Sequence, residues 1–138
     1  MPANNILTRV PRHFVKTLTF DGTTVGDVGT DTVATVTGRV LILHGAATCT
    51  TLLAGASATV ELGTANNTAA IIAQSTATDI DANEFWKDTS PELEVSSALT
   101  DIVVNSDIIL TVGTAAVTSG VLVFEFLWLP LSTNGNLA

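Results

Sequence analysis

The chain has few charged residues, and most of those it has are acidic. Only 13% of its 138 residues are Asp, Glu, Lys or Arg, whereas about 25% is usual in a soluble domain. Five Lys and Arg stand against 13 Asp and Glu, which gives a net charge of −8 at pH 7. Because nucleic-acid backbones are bound by clustered Lys and Arg, this balance argues against a nucleic-acid partner.

The sequence offers no disulfide and no long apolar run, and we expect no signal peptide. The single cysteine, Cys49, excludes an intrachain disulfide. The best apolar run, 121–131, is interrupted by Glu125 and contains Pro130, so it falls short of the roughly 18 residues that a membrane-spanning helix needs. The N-terminal sequence MPANN is not followed by the apolar stretch of a signal peptide. We therefore expect no membrane partner and synthesis in a cytoplasm.

Apolar residues, in contrast, are abundant. They make up 46% of the chain, and the mean hydropathy is +0.48. Much apolar surface with little charge suits a surface that other chains cover. The composition favours a subunit of an assembly, and a Thr-rich monomer is the alternative.

The residue pattern predicts an all-β fold. Val, Ile and Thr alternate with polar residues in short segments about ten residues apart, and Gly, Asn and Asp stand between them. We expect an antiparallel β-sandwich or jelly roll of about eight strands over residues 14–138, preceded by an extended arm over residues 1–13. The predicted strands are 14–20, 32–44 with a bulge at Gly38, 57–62, 69–73, 92–96, 101–105, 106–112 and 121–129.

The last predicted strand, Val121 to Leu129, is apolar on both faces. Leu122, Phe124, Phe126 and Trp128 alternate with Val121, Val123, Leu127 and Leu129. A strand of this kind is central in its sheet, or it lies between a sheet and a partner subunit.

One segment indicates a helical turn, with a cation site as the alternative. In Asp81-Ala-Asn-Glu84-Phe85-Trp86, Asp81 and Glu84 have the spacing of a capping box. Asp79, Asp81 and Asn83 begin like a calcium loop, but the sixth position is Glu84 instead of Gly and the twelfth is Ser90 instead of Glu. Trp86 follows as a candidate exposed anchor.

A short internal repeat predicts two equivalent hairpin tips. Gly63-Thr-Ala and Gly113-Thr-Ala each follow an aliphatic residue and are followed by Thr three positions later. Small polar residues recur in turns for local reasons as well. Loops of this kind lie at sheet ends, where they can contact partners.

No catalytic constellation is apparent in the sequence. His13, His44 and Cys49 lie in no recognisable catalytic or metal-binding motif, and phosphate-binding glycine loops are missing. We expect a protein that is not an enzyme and that has no cofactor.

The basic residues are concentrated at the N-terminus. Arg9, Arg12 and Lys16 fall in the first 20 residues, which contain no acid, whereas the remainder has two bases and all 13 acids. The arm is therefore expected either to fray or to contact the acidic surface of a neighbouring subunit.

The stretch from Gly63 to Pro130 resembles small virion-structural proteins of tailed bacteriophages. The segments GTANNTAAIIA, TATDIDANEFW and DIILTVGTAAVTSGVLVFEFLWLPLS carry this likeness. The resemblance implies a capsid decoration protein on the exterior of the virion, often a trimer, whose partner is the major capsid protein. A receptor- or glycan-binding module of a tail or fibre, built from Trp86 and the two Gly-Thr-Ala tips, is the alternative. The candidate interface residues are Arg9, Arg12, Lys16, Trp86, Phe124, Phe126 and Trp128.

Overall fold

The computed structural model describes residues 10–88 and 103–138, and within them the fold is all-β. The only helical element in these ranges is a 3₁₀ turn, Ala77–Asp79, so no described helix is long and apolar enough to cross a membrane. The strands are β1 (Arg12–Thr19), β2 (Gly29–Ala34), β3 (Val36–Thr37), β4 (Val40–Ala54), β5 (Thr59–Gly63), β6 (Ile72–Thr76), β7 (Phe85–Trp86), β8 (Val103–Val104), β9 (Ile108–Gly113), β10 (Ser119–Pro130) and β11 (Asn136–Leu137).

These strands form three antiparallel sheets. A five-stranded sheet has the order β1-β10-β4-β7, with β8 on the same edge of β4 as β7. A four-stranded sheet has the order β2-β9-β5-β6, and β3 pairs with β11. The prediction of an all-β antiparallel fold is confirmed. The described residues contain eleven strands where the sequence predicts about eight, because several of them are only two residues long.

Strand β10 is the central strand of the five-stranded sheet. It pairs with β1 from Arg12 opposite Trp128 to Thr19 opposite Val121, and with β4 along its other edge. The prediction that this doubly apolar segment is a central strand is therefore confirmed. Its even-numbered side chains from 122 to 128 are buried, and its odd-numbered ones point to the opposite side of the sheet.

Buried side chains of the two larger sheets form one hydrophobic cluster. Phe124 and Phe126 contribute from β10, and Leu62 and Leu110 contribute from β5 and β9. A polar contact also joins the sheets, since the indole N–H of Trp86 on β7 donates to Ser75 Oγ on β6 at 2.9 Å. Both sheets therefore share a single core.

The predicted long strand from Thr32 to His44 is wrong. The segment belongs to three strands, because β2 lies in the four-stranded sheet and β4 lies in the five-stranded sheet. Gly38 makes the bend between β3 and β4 with φ at +64°, and a Cβ there would lie 2.5 Å from Asn134 Oδ1 and Ser132 Oγ. The glycine therefore marks the passage from one sheet to the other and not a bulge within one strand.

The predicted helical turn from Asp81 to Trp86 is also wrong, because Phe85 and Trp86 form β7. One half of the expected capping box does form, since Glu84 Oε2 accepts the backbone N–H of Asp81 at 3.2 Å. The left-handed φ of +71° at Asn83 then turns the chain back toward β4. The capping chemistry is present, but it closes a turn that leads into a strand.

The boundary of the predicted arm needs a correction. Strand β1 begins at Arg12, so Arg12 and His13 belong to the sheet and not to an arm. Residues 1–9, with Arg9, and the predicted strand 92–96 lie outside the described residues.

Candidate functional site: an apolar outer sheet face

The four aromatic residues proposed for an interface are core residues. Trp86 is 4% exposed, Trp128 is 3% exposed, and Phe124 and Phe126 are fully buried. They pack on one another and on β1, with Trp86 edge-on to Phe124 at 6.3 Å and Phe14 stacked on Phe126 at 5.9 Å. Their contribution is to stability, and they present almost no surface to a partner in this conformation.

The two described basic candidates lie on the edge strand β1. Arg12 stands opposite Trp128 in the register, and its guanidinium lies over the indole ring at 5.2 Å from the centroid. Lys16 stands opposite Phe124 and is exposed. Arg12 therefore makes a cation–π contact within the chain.

The structure does not assemble the alternative binding site around Trp86. The loop after Gly63 joins the paired strands β5 and β6, so the hairpin tip predicted there is confirmed. The loop after Gly113 joins β9 to β10, which lie in different sheets, so the hairpin tip predicted there is wrong. Gly113 stands opposite Thr59 at the start of β5, whereas Gly63 ends β5, so the two loops leave opposite ends of the four-stranded sheet. The two loops therefore do not lie beside each other, and Trp86 is buried.

The segment Asp79, Asp81 and Asn83 forms a turn, and its position gives no support to the cation site. All three residues are exposed, and the nearby Glu84 carboxylate accepts a hydrogen bond from the backbone N–H of Asp81. Within residues 10–88 and 103–138, no group of three or more His, Cys, Asp or Glu side chains is placed to hold a metal ion.

The side of the five-stranded sheet that faces away from the core is the most distinctive surface of the described chain. We call it the outer face and define it by three rows of directly opposed residues, which share one side of the sheet. The rows are His13, Leu127 and His44; Val15, Glu125 and Ala46; and Thr17, Val123, Thr48 and Phe85.

Large apolar side chains are exposed on this face. Phe85 is 71% exposed, Val15 is 49% exposed and Leu127 is 41% exposed, and they come from three different strands. Leu43, at the irregularity in β4 beside His44, is 48% exposed. Apolar side chains gathered on one side of a sheet are typical of a surface that another molecule covers.

The outer face carries little charge. Its only carboxylate is that of Glu125, and no Lys or Arg occupies an outward position of β1, β10, β4 or β7. His13 and His44 stand on either side of Leu127, one row away from Glu125, and with it they line a shallow hollow of about 190 Å³. The polar groups of the face are the Glu125 carboxylate, the two imidazoles and the hydroxyls of Thr17 and Thr48, and its other side chains are apolar.

The interface predicted from the sequence lies on the side of β10 that faces the core, opposite the outer face. Both alternating sets of that strand are apolar, so the pattern indicates a covered surface without indicating which set faces the core. The size of the side chains is the signal that separates them, because Phe124, Phe126 and Trp128 fill the interior while Val123 and Leu127 lie outward.

Comparison of the chain with protein-family models, with curated proteins and with solved structures finds no match.

Proposed function

We propose that the chain is a structural subunit without catalytic activity, and that it decorates the outside of a bacteriophage capsid. One observation carries the proposal: an outer face spanning four strands that exposes Val15, Leu127 and Phe85 and has Glu125 as its only carboxylate. Such a face is poorly suited to solvent and well suited to burial against protein. The resemblance to virion proteins of tailed phages supplies the choice of capsid as the partner.

The fold that we propose for this role is a β-sandwich. The five-stranded and four-stranded sheets supply one core, and Trp86 is hydrogen-bonded to Ser75 between them. Two sheets that pack on each other leave each sheet with one outward face. A rigid body of this kind can present a flat surface to a shell without rearranging.

The N-terminal segment contributes a second proposed contact. Arg9 precedes β1, whose described charged residues Arg12 and Lys16 are both basic. Basic groups at this edge would meet acidic groups on the shell or on another copy, and pairing of opposite surface charges speeds and orients docking. Arg12 can keep its stacking on Trp128 while its in-plane N–H groups point to a partner, so all three basic residues remain candidates.

The test is binding to capsids purified from the virus that encodes the chain, after deletion of its gene. We expect the full chain to sediment with the capsids and a Phe85→Asp variant to bind at least about tenfold more weakly, because the variant would bury a charge. The control is Val28→Asp, since Val28 is 57% exposed and precedes β2, away from the outer face. Capsids that take up no full-length chain would refute the proposal.

A truncation tests the N-terminal contact, and the structure fixes where to cut. Removal of residues 1–9 leaves β1 intact, whereas removal of residues 1–13 deletes Arg12 and His13 from their pairing with β10. We expect the shorter deletion to weaken capsid binding and to leave the melting temperature unchanged. Unchanged occupancy of the capsid would refute a role for Arg9.

A further inference from the structure

We propose that the open edge of β1 binds an acidic, extended segment of a partner protein, which joins the five-stranded sheet as a further antiparallel strand. The inference deepens the proposed function, because it assigns a binding mode and a partner chemistry to the basic edge. It rests on that function only in taking this edge to contact another protein, and it does not involve the outer face.

Strand β1 forms a long and regular edge. Within the described ranges it pairs with β10 on one side and with no strand on the other. Its pairing with β10 covers eight residues without a register shift. The other outer strands of the two larger sheets are either two residues long, as β7 and β8 are, or paired with a register shift, as β2 and β6 are. Short or bulged edges resist the addition of a strand, whereas a long, regular edge accepts one.

The hydrogen-bond pattern shows which backbone groups β1 offers at this edge. Thr19 stands opposite Val121, and the next residue, Phe20, donates its N–H to the Gly120 carbonyl at 3.0 Å. Thr19 and Val121 are therefore a non-hydrogen-bonded pair, whose N–H and C=O groups point away from each other. Because the pattern repeats at every second residue, three more residues of β1 direct these groups to the open edge: His13, Val15 and Thr17. An added strand would meet a donor and an acceptor at each of them.

The side chains beside the edge define the chemistry of the partner. Arg12 and Lys16 lie on the inward side of β1, since they stand opposite the buried Trp128 and Phe124. The half-buried Phe14 lies between them on the same side. An added strand therefore meets a basic, an apolar and a basic position at every second residue. Because opposite charges across two strands stabilise their pairing, the matching segment has two acidic residues four positions apart and an apolar residue midway between them.

The acids of neighbouring strands do not face this side of the edge or are held away from it. Glu125, the only acid in β10, points to the outer face on the other side of the sheet. Asp31, on the edge strand β2 of the facing sheet, accepts the backbone N–H of Gly26 at 2.8 Å, in the loop that follows β1. The first 20 residues contain no acid. The edge is thus basic although the chain has a net charge of −8.

The same bases disfavour a second copy of β1 as the added strand. In an antiparallel pair of β1 strands centred on Phe14, Arg12 of each copy would stand opposite Lys16 of the other. A pair centred on Lys16 would place the two lysines opposite each other. Like charges directly across two strands are destabilising. The charges therefore act against self-association and select a partner of opposite charge.

Fluorescence anisotropy with synthetic peptides tests the proposal. The probe is a dye-labelled nonapeptide, Thr-Thr-Glu-Thr-Val-Thr-Glu-Thr-Thr, which has the acidic and apolar residues at the stated spacing. We expect it to bind the full chain saturably, with a dissociation constant below about 1 mM. A peptide with Lys in place of both Glu residues should bind at least about tenfold more weakly. Absence of saturable binding up to about 1 mM, or equal binding of the two peptides, overturns the proposal.

A third peptide and an exchange measurement show whether the backbone is used. The two Thr residues that flank Val would stand opposite His13 and Val15, so replacing them by Pro removes donors to β1 and keeps the charge. This peptide should not bind. The acidic peptide should slow amide hydrogen exchange at Val15, measured by NMR, and should leave Phe14 unchanged because its N–H points to β10. A proline peptide that binds equally well, or unchanged exchange at Val15, would indicate a contact of charges alone and overturn the added strand.

A charge reversal on β1 tests the selection. Lys16→Glu should weaken binding of the acidic peptide at least about fivefold and make the lysine peptide the tighter ligand. Lys87→Glu is the matched control, because Lys87 is also exposed but follows β7 at the opposite edge of the sheet. Far-UV circular dichroism should be unchanged, and Lys16→Gln repeats the test if Lys16→Glu does not fold. Equal losses for Lys16→Glu and Lys87→Glu would refute recognition at β1.

The capsid experiment separates this inference from the proposed function. A chain that binds capsids but not the acidic peptide would refute the added strand and support the decoration role. A chain that binds the acidic peptide as described but ignores capsids would support the inference and refute the decoration role.

Discussion

The Asp21 carboxylate organises the loop that follows β1. Its Oδ1 atom accepts the backbone N–H groups of Thr23 at 2.8 Å, Thr24 at 2.8 Å and Val25 at 3.0 Å. These hydrogen bonds, that from Val25 first, lower the pKa of Asp21 from its usual 3.8 to about 2. A carboxylate whose pKa is lowered on folding stabilises the fold above the unfolded pKa and ceases to do so as the pH falls through the folded pKa.

Asp21→Ala should therefore lower the urea midpoint of unfolding at neutral pH. The difference from the natural chain should shrink as the pH falls from about 4 to about 2, because the natural chain then loses the same charged acceptor. Asp79→Ala is the control, since Asp79 is also exposed but lies in the 3₁₀ turn. If the urea midpoints of Asp21→Ala and the natural chain differ as much at pH 2 as at neutral pH, the Asp21 carboxylate does not act in this way.

Thr111 on β9 has a buried hydroxyl without a hydrogen-bond partner in the described part of the chain. Replacing it by Val keeps the shape and removes the unsatisfied group, so Thr111→Val should raise the free energy of unfolding by about 0.5 to 1 kcal/mol. Thr59→Val is the matched control, because Thr59 Oγ1 accepts a hydrogen bond from Gln74 Nε2 at 3.3 Å. In urea titrations, only Thr111→Val should raise the free energy of unfolding. An equal rise for both variants would mean that the higher strand propensity of Val is the cause.

Among the elements, the loop over residues 21–28 comes closest to its neighbours at Gly26. Gly26 has φ at +92°, and a Cβ there would lie 2.6 Å from the Val117 carbonyl oxygen and 2.7 Å from Phe20 Cδ1. The backbone N–H of Val117 also donates to the Gly26 carbonyl at 2.8 Å. This close approach fixes the loop against the connection between β9 and β10.

Gly26→Ala should accordingly destabilise the fold by at least about 2 kcal/mol, through backbone strain and overpacking together. Gly29→Ala separates the two causes, because Gly29 also has a positive φ, at +141°, but a Cβ there would meet no atom within 4 Å. Thermal denaturation should show a clearly smaller loss for Gly29→Ala. Equal losses would show that packing against Val117 and Phe20 is unimportant.

The alternation of residue types predicted those strands whose position in the sheet matches their own pattern of apolar residues. The alternation of Val121 to Leu129 identified β10, since a central strand is apolar on both sides. The change of sheet at Gly38 was not predictable, because β-forming residues run through the whole segment 32–44. Sheet membership depends on distant partners such as Ser132, whose Oγ accepts the Arg39 backbone N–H. Contacts far apart in sequence leave no local periodicity.

The candidate site was predicted only in kind. The sequence predicts a covered apolar surface at Phe124, Phe126 and Trp128, whereas these side chains are buried and the exposed apolar side chains of the sheet lie on the outer face. Phe85 went unnoticed because the capping-box spacing assigned it to a helical turn, whereas β7 places it beside Thr48 on the outer face. The alternation alone does not say which of the two apolar faces of β10 meets the second sheet, although the larger side chains of the inward set are a signal.

On the scale of the whole molecule, the two larger sheets should unfold together because they share one core. Both tryptophans lie on strands of the five-stranded sheet, so their fluorescence reports on that sheet. Leu110 is fully buried on β9 of the other sheet. Its position allows a test of how strongly the sheets are coupled.

Leu110→Ala should cost about 2 to 5 kcal/mol, as buried leucine truncations do. The loss should shift the tryptophan fluorescence transition and the far-UV circular dichroism transition by the same amount in urea. Fluorescence that keeps the midpoint of the natural chain while the circular dichroism shifts would show that the sheets unfold separately.

The burial of Cys49 has a practical consequence for studying this molecule. Burial raises the pKa of its thiol, and the Sγ atom is hydrogen-bonded to the Thr51 carbonyl oxygen at 3.2 Å. Because thiolate and not thiol reacts with maleimides, the folded chain should resist alkylation. A thiol introduced elsewhere can then carry a dye or spin label alone, and Cys49 itself becomes a reporter whose modification rate measures how often the interior opens.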